Sequence, residues 1–223
     1  MSKRAFFVNA LTFARVPLIF LWAVFAVWQE LAIGADRQSP SVVLTLVASL
    51  GMLFSGLTDL WDGKLARKWG VVSALGKMAD PLMDKVFYLV AFPVLVWLSA
   101  HSGAGEVQTL SLLVLTVLYL LRDTWVTFLR SVGTMYGADV AAMWLGKLRT
   151  ALSFPGAGWI YAYLCFRWFE PFRADNVWTN VVWPASVLAV EAFLGLLTLV
   201  SLVTYTRAYV PYLKRALERN ENL

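Results

Sequence analysis

Long apolar stretches alternate with short polar breaks along this chain, and that pattern limits it to very few kinds of fold. Apolar windows run near 11–33, 42–66, 76–100, 108–130, 145–169 and 180–210. Each is close to the roughly 20 residues that carry a helix across a hydrocarbon layer. The breaks centred on 34–40, 101–107 and 170–179 hold Gly, Pro, Ser and Asp, as turns do. Apolar residues make up 60% of the 223 and charged residues only 15%, whereas a water-soluble domain has about 45–50% and about 25%. The expected architecture is an all-α integral membrane protein, a bundle of six transmembrane helices forming one domain over 1–223. The first stretch begins like a secretory signal. It is interrupted by Asn9, Thr12 and Arg15 and ends in Val24-Phe25-Ala26-Val27-Trp28 rather than a small-residue cleavage site, so it reads as a retained helix.

Charge fixes the orientation. With both termini in the cytoplasm, Lys3, Arg4, Lys64, Arg67, Lys68, Lys147, Arg149, Lys214, Arg215 and Arg219 fall on that side, and Arg37, Arg167 and Arg173 near the other. Cationic loops resist translocation, so this asymmetry is the expected one. The net charge of +5 lies mainly on that rim, where it meets anionic headgroups rather than nucleic acid. The single cysteine, Cys165, and the single histidine, His101, leave no room for disulfides, thiolate clusters or histidine-pair metal sites, and make a Ser-His-Asp triad a poor expectation.

Against this background four acids stand out. Asp59 and Asp62 are i, i+3 neighbours at the end of the second stretch, and Asp80 and Asp84 are i, i+4 neighbours at the start of the third. Each pair projects from one helix face, and the short turn between the helices lets the pairs face each other. An Asp at a helix centre in a bilayer costs about 2.5–3.5 kcal/mol on the insertion scale, so the group demands compensation. Lys77, Lys85 and Arg67 could supply part of it. An all-oxygen cluster also suits a hard divalent ion, Mg²⁺ or Mn²⁺, and a pair of such ions is a recurring device for phosphoryl chemistry. Gly63, Ala66 and Gly76 leave the helix surface bare beside the acids, and the fork of Arg67 suits a phosphate.

The string Asp59-x2-Asp62-Gly63-x2-Ala66-Arg67-x8-Gly76-x3-Asp80-x3-Asp84 resembles the signature of the CDP-alcohol phosphatidyltransferase family. That resemblance implies six transmembrane helices with an active site opening to the cytoplasm, transfer of a phosphatidyl group from a CDP-linked donor to an alcohol, and release of CMP. It implies that Asp59, Asp62 and Asp80 ligate two divalent ions, and that Asp84 completes the second ion site and serves as catalytic base. It places Asn9, Thr12, Gly63, Ala66, Arg67 and Gly76 with the CDP donor. It also implies a homodimer.

The acceptor follows from a second likeness. Asn9-Ala10-Leu11-Thr12-Phe13-Ala14-Arg15, Arg122-Asp123, Arg130 and Gly146-Lys147-Leu148-Arg149-Thr150 are similar to stretches of the bacterial phosphatidylglycerophosphate synthase branch, which implies a bacterial inner membrane, CDP-diacylglycerol as donor and glycerol 3-phosphate as acceptor. In physical terms Arg122, Arg130, Lys147 and Arg149 form a cationic cluster that a phosphorylated acceptor needs and a neutral alcohol does not. Ordinary positive-inside topology is the bland reading of the same residues. Inositol 1-phosphate, phosphatidylglycerol or serine are rival acceptors, and an intramembrane prenyltransferase or a divalent-cation transporter are rival functions. Glu191 is expected to find a structural partner such as Arg167. Trp22, Trp28, Trp61, Trp69, Trp168, Trp178 and Trp183 read as interfacial anchors.

Overall fold

Six long helices account for nearly all of the described chain, which in this computed structural model comprises residues 3–36, 40–71, 74–138, 144–169 and 177–218. They are α1 (Lys3–Asp36), α2 (Val42–Trp69), α3 (Ala74–His101), α4 (Glu106–Met135), α5 (Trp144–Trp168) and α6 (Trp183–Glu218). A short π-helical turn, Trp178–Val182, leads into α6. No strand occurs among the described residues. The helices lie where the apolar windows put them. α1 starts earlier than its window because Asn9, Thr12 and Arg15 are buried on its inner face rather than set in a polar leader.

Five of the helices are long and apolar enough to cross a bilayer, and α5 is not among them. Its first turns carry Lys147, Arg149 and Thr150, which dilute the apolar content. With large apolar side chains such as Phe20, Leu46, Leu89, Leu113, Phe193 and Leu199 exposed on the outer faces, the chain is a multi-pass, all-α membrane protein. In water such a surface would aggregate; in lipid it is the solvated face.

Each helix packs on the next around the ring α1–α3–α4–α6–α5–α2, and α3 also reaches α5 across it. Successive helices alternate in direction, so the amino-terminal ends of α1, α3 and α5 share one end of the bundle with the carboxy-terminal ends of α2, α4 and α6. Ser41 caps α2 by accepting a hydrogen bond from the Leu44 amide, and Gly70 closes it in the left-handed region (φ 63°). Only a small residue fits at Gly51, since an added Cβ would lie 3.2 Å from the Leu18 carbonyl oxygen and 3.3 Å from the Trp22 amide nitrogen. That glycine lets the backbones of α1 and α2 touch.

The core contradicts two of the expected anchors. Trp22 is wholly buried, edge-to-face with Tyr161, and Trp168 is buried beside it. Both occupy inner positions of their helices, a fact that distance from the helix end cannot reveal. Trp28, Trp61 and Trp178 do face outward.

Replacing Gly51 with Val should destabilise the α1–α2 contact by about 1–3 kcal/mol through overpacking. Thermal denaturation in detergent would register this as a lowered midpoint, with Gly158→Ala, where an added Cβ meets nothing within 4 Å, as the tolerated control. An unshifted midpoint for Gly51→Val would mean the two backbones are not in contact.

Candidate functional site

The inner stripes of the helices are apolar over most of their length but turn ionic at one end of the bundle. On α4 the buried positions Leu112, Leu115, Tyr119, Arg122, Val126 and Leu129 recur every three or four residues, and Arg122 is simply one of them. Arg149 has the same status on α5, and Arg15 on α1. These cations are therefore inside the bundle, where each must find partners.

Arg15 finds two. Its Nη1 donates to Asp84 Oδ1 at 3.1 Å and its Nη2 to Asp62 Oδ2 at 3.3 Å, so one guanidinium from α1 joins carboxylates of α2 and α3. Thr12, one turn earlier, donates to the same Asp62 oxygen at 2.8 Å. Asp62 is nearly closed off, its side chain 4% exposed, whereas that of Asp84 is 32% exposed. The expected counter-ions behave differently: Lys85 donates to Thr127 Oγ1 at 2.7 Å, Arg67 is exposed at the end of α2, and the Lys77 side chain lies outside the described residues. The side chains of Asp59 and Asp80 also lie outside them, although both backbones are helical. Among the described residues no set of three acids, histidines or cysteines forms a metal cluster. The two acids that are described do converge from separate helices, and their all-oxygen chemistry fits a hard divalent ion.

Of the remaining residues expected near the donor, Asn9 is buried on the α1 stripe. Gly63, Ala66 and Gly76 are half-buried. Among the described residues the nearest group to an added Cβ at Gly63 is the Arg67 guanidinium, whose Nη1 would sit 3.5 Å away.

Asp84 and Arg15 also border a cavity of about 950 Å³ that extends between α3, α4, α5 and α6. Arg122, Arg130, Lys147 and Arg149 all line it, so the four cations expected to bind an anion do share one chamber with Asp84. Asp123, to which the sequence likeness gave no role of its own, accepts from Arg122 Nη1 at 2.9 Å and Arg149 Nη2 at 2.6 Å through a single oxygen. Arg149 further lies over the rings of Tyr119 and Tyr88, 4.4 and 5.1 Å from their centroids. Among the described residues, six basic side chains (Arg15, Lys85, Arg122, Arg130, Lys147, Arg149) line the cavity against two acidic ones, Asp84 and Asp123. Arg149 Nε and Nη1 and Arg130 Nε are buried and meet no acceptor among the described residues. Buried donors without acceptors are costly, and an anion in the chamber would relieve them.

At the opposite end Glu191 accepts from Gln108 Nε2 and from Ser111 Oγ. The expected pairing with Arg167 does not occur: that guanidinium donates to the Ser102 and Gly103 carbonyls and to the Tyr163 hydroxyl. Neutral donors from α4 satisfy Glu191 instead, while Arg167 is taken up by the backbone carbonyls between α3 and α4.

A sequence model of the CDP-alcohol phosphatidyltransferase family matches residues 6–191. The CDP-diacylglycerol--glycerol-3-phosphate 3-phosphatidyltransferase of Bacillus subtilis (strain 168) is 32% identical over 146 residues, 64% of this chain and 69% of that protein. Its namesake in Mycoplasma genitalium is 31% identical over 166 residues, 72% of this chain and 64% of that protein. The cardiolipin synthase (CMP-forming) of Streptomyces coelicolor is 29% identical over 197 residues, 82% of this chain and 80% of that protein.

Removing the shared guanidinium by Arg15→Met should leave two carboxylates facing each other and destabilise the fold by about 3–5 kcal/mol, as breaking a buried pair does. The check is a thermal melt in chelator-treated detergent solution. A midpoint equal to wild type would rule out Arg15 as the common counter-ion.

Proposed function

The chain belongs to the CDP-alcohol phosphatidyltransferase family, and from that premise we propose that it moves a phosphatidyl group from CDP-diacylglycerol to glycerol 3-phosphate, releasing CMP. The observation that carries this reading is the placing of Asp84 in one chamber with Arg122, Arg130, Lys147 and Arg149. A carboxylate able to take a proton and a cationic wall able to hold a phosphate are what a phosphorylated alcohol requires. The names of the Bacillus and Mycoplasma relatives support the same donor and acceptor.

In this mechanism the acceptor's phosphate lies against the four cations, with the spare N–H groups of Arg149 and Arg130 as its donors. Asp84 takes the proton from the acceptor hydroxyl as that oxygen bonds to the phosphatidyl phosphorus and the bond from phosphorus to the CMP oxygen breaks. Thr12 and Arg15 hold Asp62 in place across the helix boundary. Two divalent ions, Mg²⁺ or Mn²⁺, held by Asp59, Asp62, Asp80 and Asp84 would neutralise the donor diphosphate and stabilise the departing CMP. Asn9, Gly63, Ala66, Arg67 and Gly76 border the cytidine diphosphate. The reading includes six crossings, with α5 as the fifth, one domain, both termini in the cytoplasm of a bacterial inner membrane, and a homodimer. Charge asymmetry between the two ends supports the orientation.

Purified protein given CDP-diacylglycerol, a divalent ion and each acceptor in turn should release CMP with glycerol 3-phosphate. Release with phosphatidylglycerol or inositol 1-phosphate instead would overturn the acceptor assignment. Asp84→Asn should abolish transfer while the protein still folds, and full activity in that variant would remove the proposed base. Arg149→Ala should raise the KM for glycerol 3-phosphate roughly 10- to 100-fold, the equivalent of a charge-assisted hydrogen bond of about 1.5–3 kcal/mol. An equal rise in the KM for CDP-diacylglycerol would assign Arg149 to the fold rather than to the acceptor.

A further inference from the structure

Two of the chamber's cations rest on neutral side chains from α6. Arg122 Nη2 and Nε both donate to Ser201 Oγ, at 2.6 and 3.2 Å. One turn on, the Tyr205 ring lies 4.9 Å from the Arg122 guanidinium carbon and 5.4 Å from that of Arg130, and its hydroxyl accepts from Arg130 Nη2 at 3.0 Å. Ser201 and Tyr205 are themselves wholly buried. α5 leaves room for this arrangement only because residue 146 is glycine: an added Cβ would lie 2.8 Å from the Tyr205 hydroxyl and 3.2 Å from Arg122 Nη2.

The distinction between these partners and Asp123 is electrostatic. A carboxylate holds an arginine by cancelling its charge, whereas a hydroxyl and an aromatic face hold it and leave the charge in place. Arg122 uses one N–H on Asp123 and two on Ser201, out of the five that a guanidinium offers. Arg130 has Tyr205. A site that must attract an anion gains nothing from arginines fixed only by acids. Both α6 residues lie beyond 6–191, the segment that the family model matches.

We propose that Ser201 and Tyr205 are positioning residues for the phosphate-bearing acceptor: they fix Arg122 and Arg130 in the chamber wall without neutralising them. This rests on the function proposed above and adds a specificity element supplied by the last helix. Tyr205 acts through the arginines and touches no reacting atom.

The test is steady-state CMP release by detergent-purified full-length protein, with glycerol 3-phosphate and CDP-diacylglycerol varied in turn. Tyr205→Leu should raise the KM for glycerol 3-phosphate about tenfold or more while the KM for CDP-diacylglycerol changes less than about twofold; Tyr205→Phe, which keeps the ring, should recover most of that loss. Ser201→Ala should move the same constant in the same direction. A readout independent of turnover is the rise in melting temperature that glycerol 3-phosphate alone gives the wild type, which Tyr205→Leu should diminish. If wild type uses glycerol 3-phosphate and Tyr205→Leu folds with its KM for that acceptor unchanged, the positioning role is overturned. Should Tyr205→Leu fail to fold, Ser201→Ala and Tyr205→Phe decide the matter: no change in the acceptor KM of Ser201→Ala, or a kcat loss with both KM values unmoved, overturns it. Wild type inactive with glycerol 3-phosphate but stabilised by it sinks the assigned reaction while leaving the positioning role standing on the melt.

Discussion

One guanidinium shared by two carboxylates inside an apolar bundle is the interaction on which the rest of this structure depends. Arg15 reaches from α1 to Asp62 on α2 and Asp84 on α3, so the three helices that open the ring are joined through charge as well as packing. In a low-dielectric interior an isolated acid is far less stable than a paired one, and the partner has to be placed as accurately as the acid. Thr12 contributes to that placement by fixing the same Asp62 oxygen. The α1 stripe, apolar from Ile19 to Ala26 and polar from Asn9 to Arg15, performs both tasks at once. One half of it builds core and the other orients the acids.

The second ionic group follows a different rule. Around Arg15 one cation meets two acids, whereas around the cavity the described cations outnumber the acids, because Asp123 serves both Arg122 and Arg149 while Arg130 and Lys147 have no carboxylate among the described residues. Aromatic faces and hydroxyls of α3, α4 and α6 make up the difference. Tyr88 and Tyr119 lie against Arg149 and Tyr205 against Arg122, and Ser201 takes two N–H groups of Arg122 as well. The excess positive charge is thus retained in a chamber that also contains Asp84.

Much of this was legible in the sequence. The apolar windows located every helix, since stretches of about 20 mainly apolar residues have few other uses, and the spacing of Asp62 and Asp84 implied that they face each other. Long-range pairing was not legible. Arg15 lies 47 and 69 residues from its two acids, and Tyr205 lies 75 from Arg130; no local spacing encodes such contacts. Tyr205 and Ser201 are also chemically unremarkable in a helix, and no charge sets them apart as it does the ionic residues of the earlier helices. Trp22 and Trp168 misled for a related reason: position along a helix suggested an interface, but position around it decided burial. Glu191 was a justified suspect whose partners, Gln108 and Ser111, carry no charge to attract notice.

The end of the bundle remote from the acids is laced by side-chain bonds between neighbouring helices. Gln29 donates to Thr45, Trp168 to Glu30, and Gln108 and Ser111 to Glu191, while Ser99 and Thr109 join α3 to α4. These ties link α1 with α2, α1 with α5, α4 with α6 and α3 with α4. A rod pinned near one tip can swing but cannot slide. Here the other tip is tied as well, so any widening at the chamber mouth has to break the ionic contacts there, Arg15 with Asp62 and Asp84 and Asp123 with Arg122 and Arg149, before the helices can tilt about this laced base.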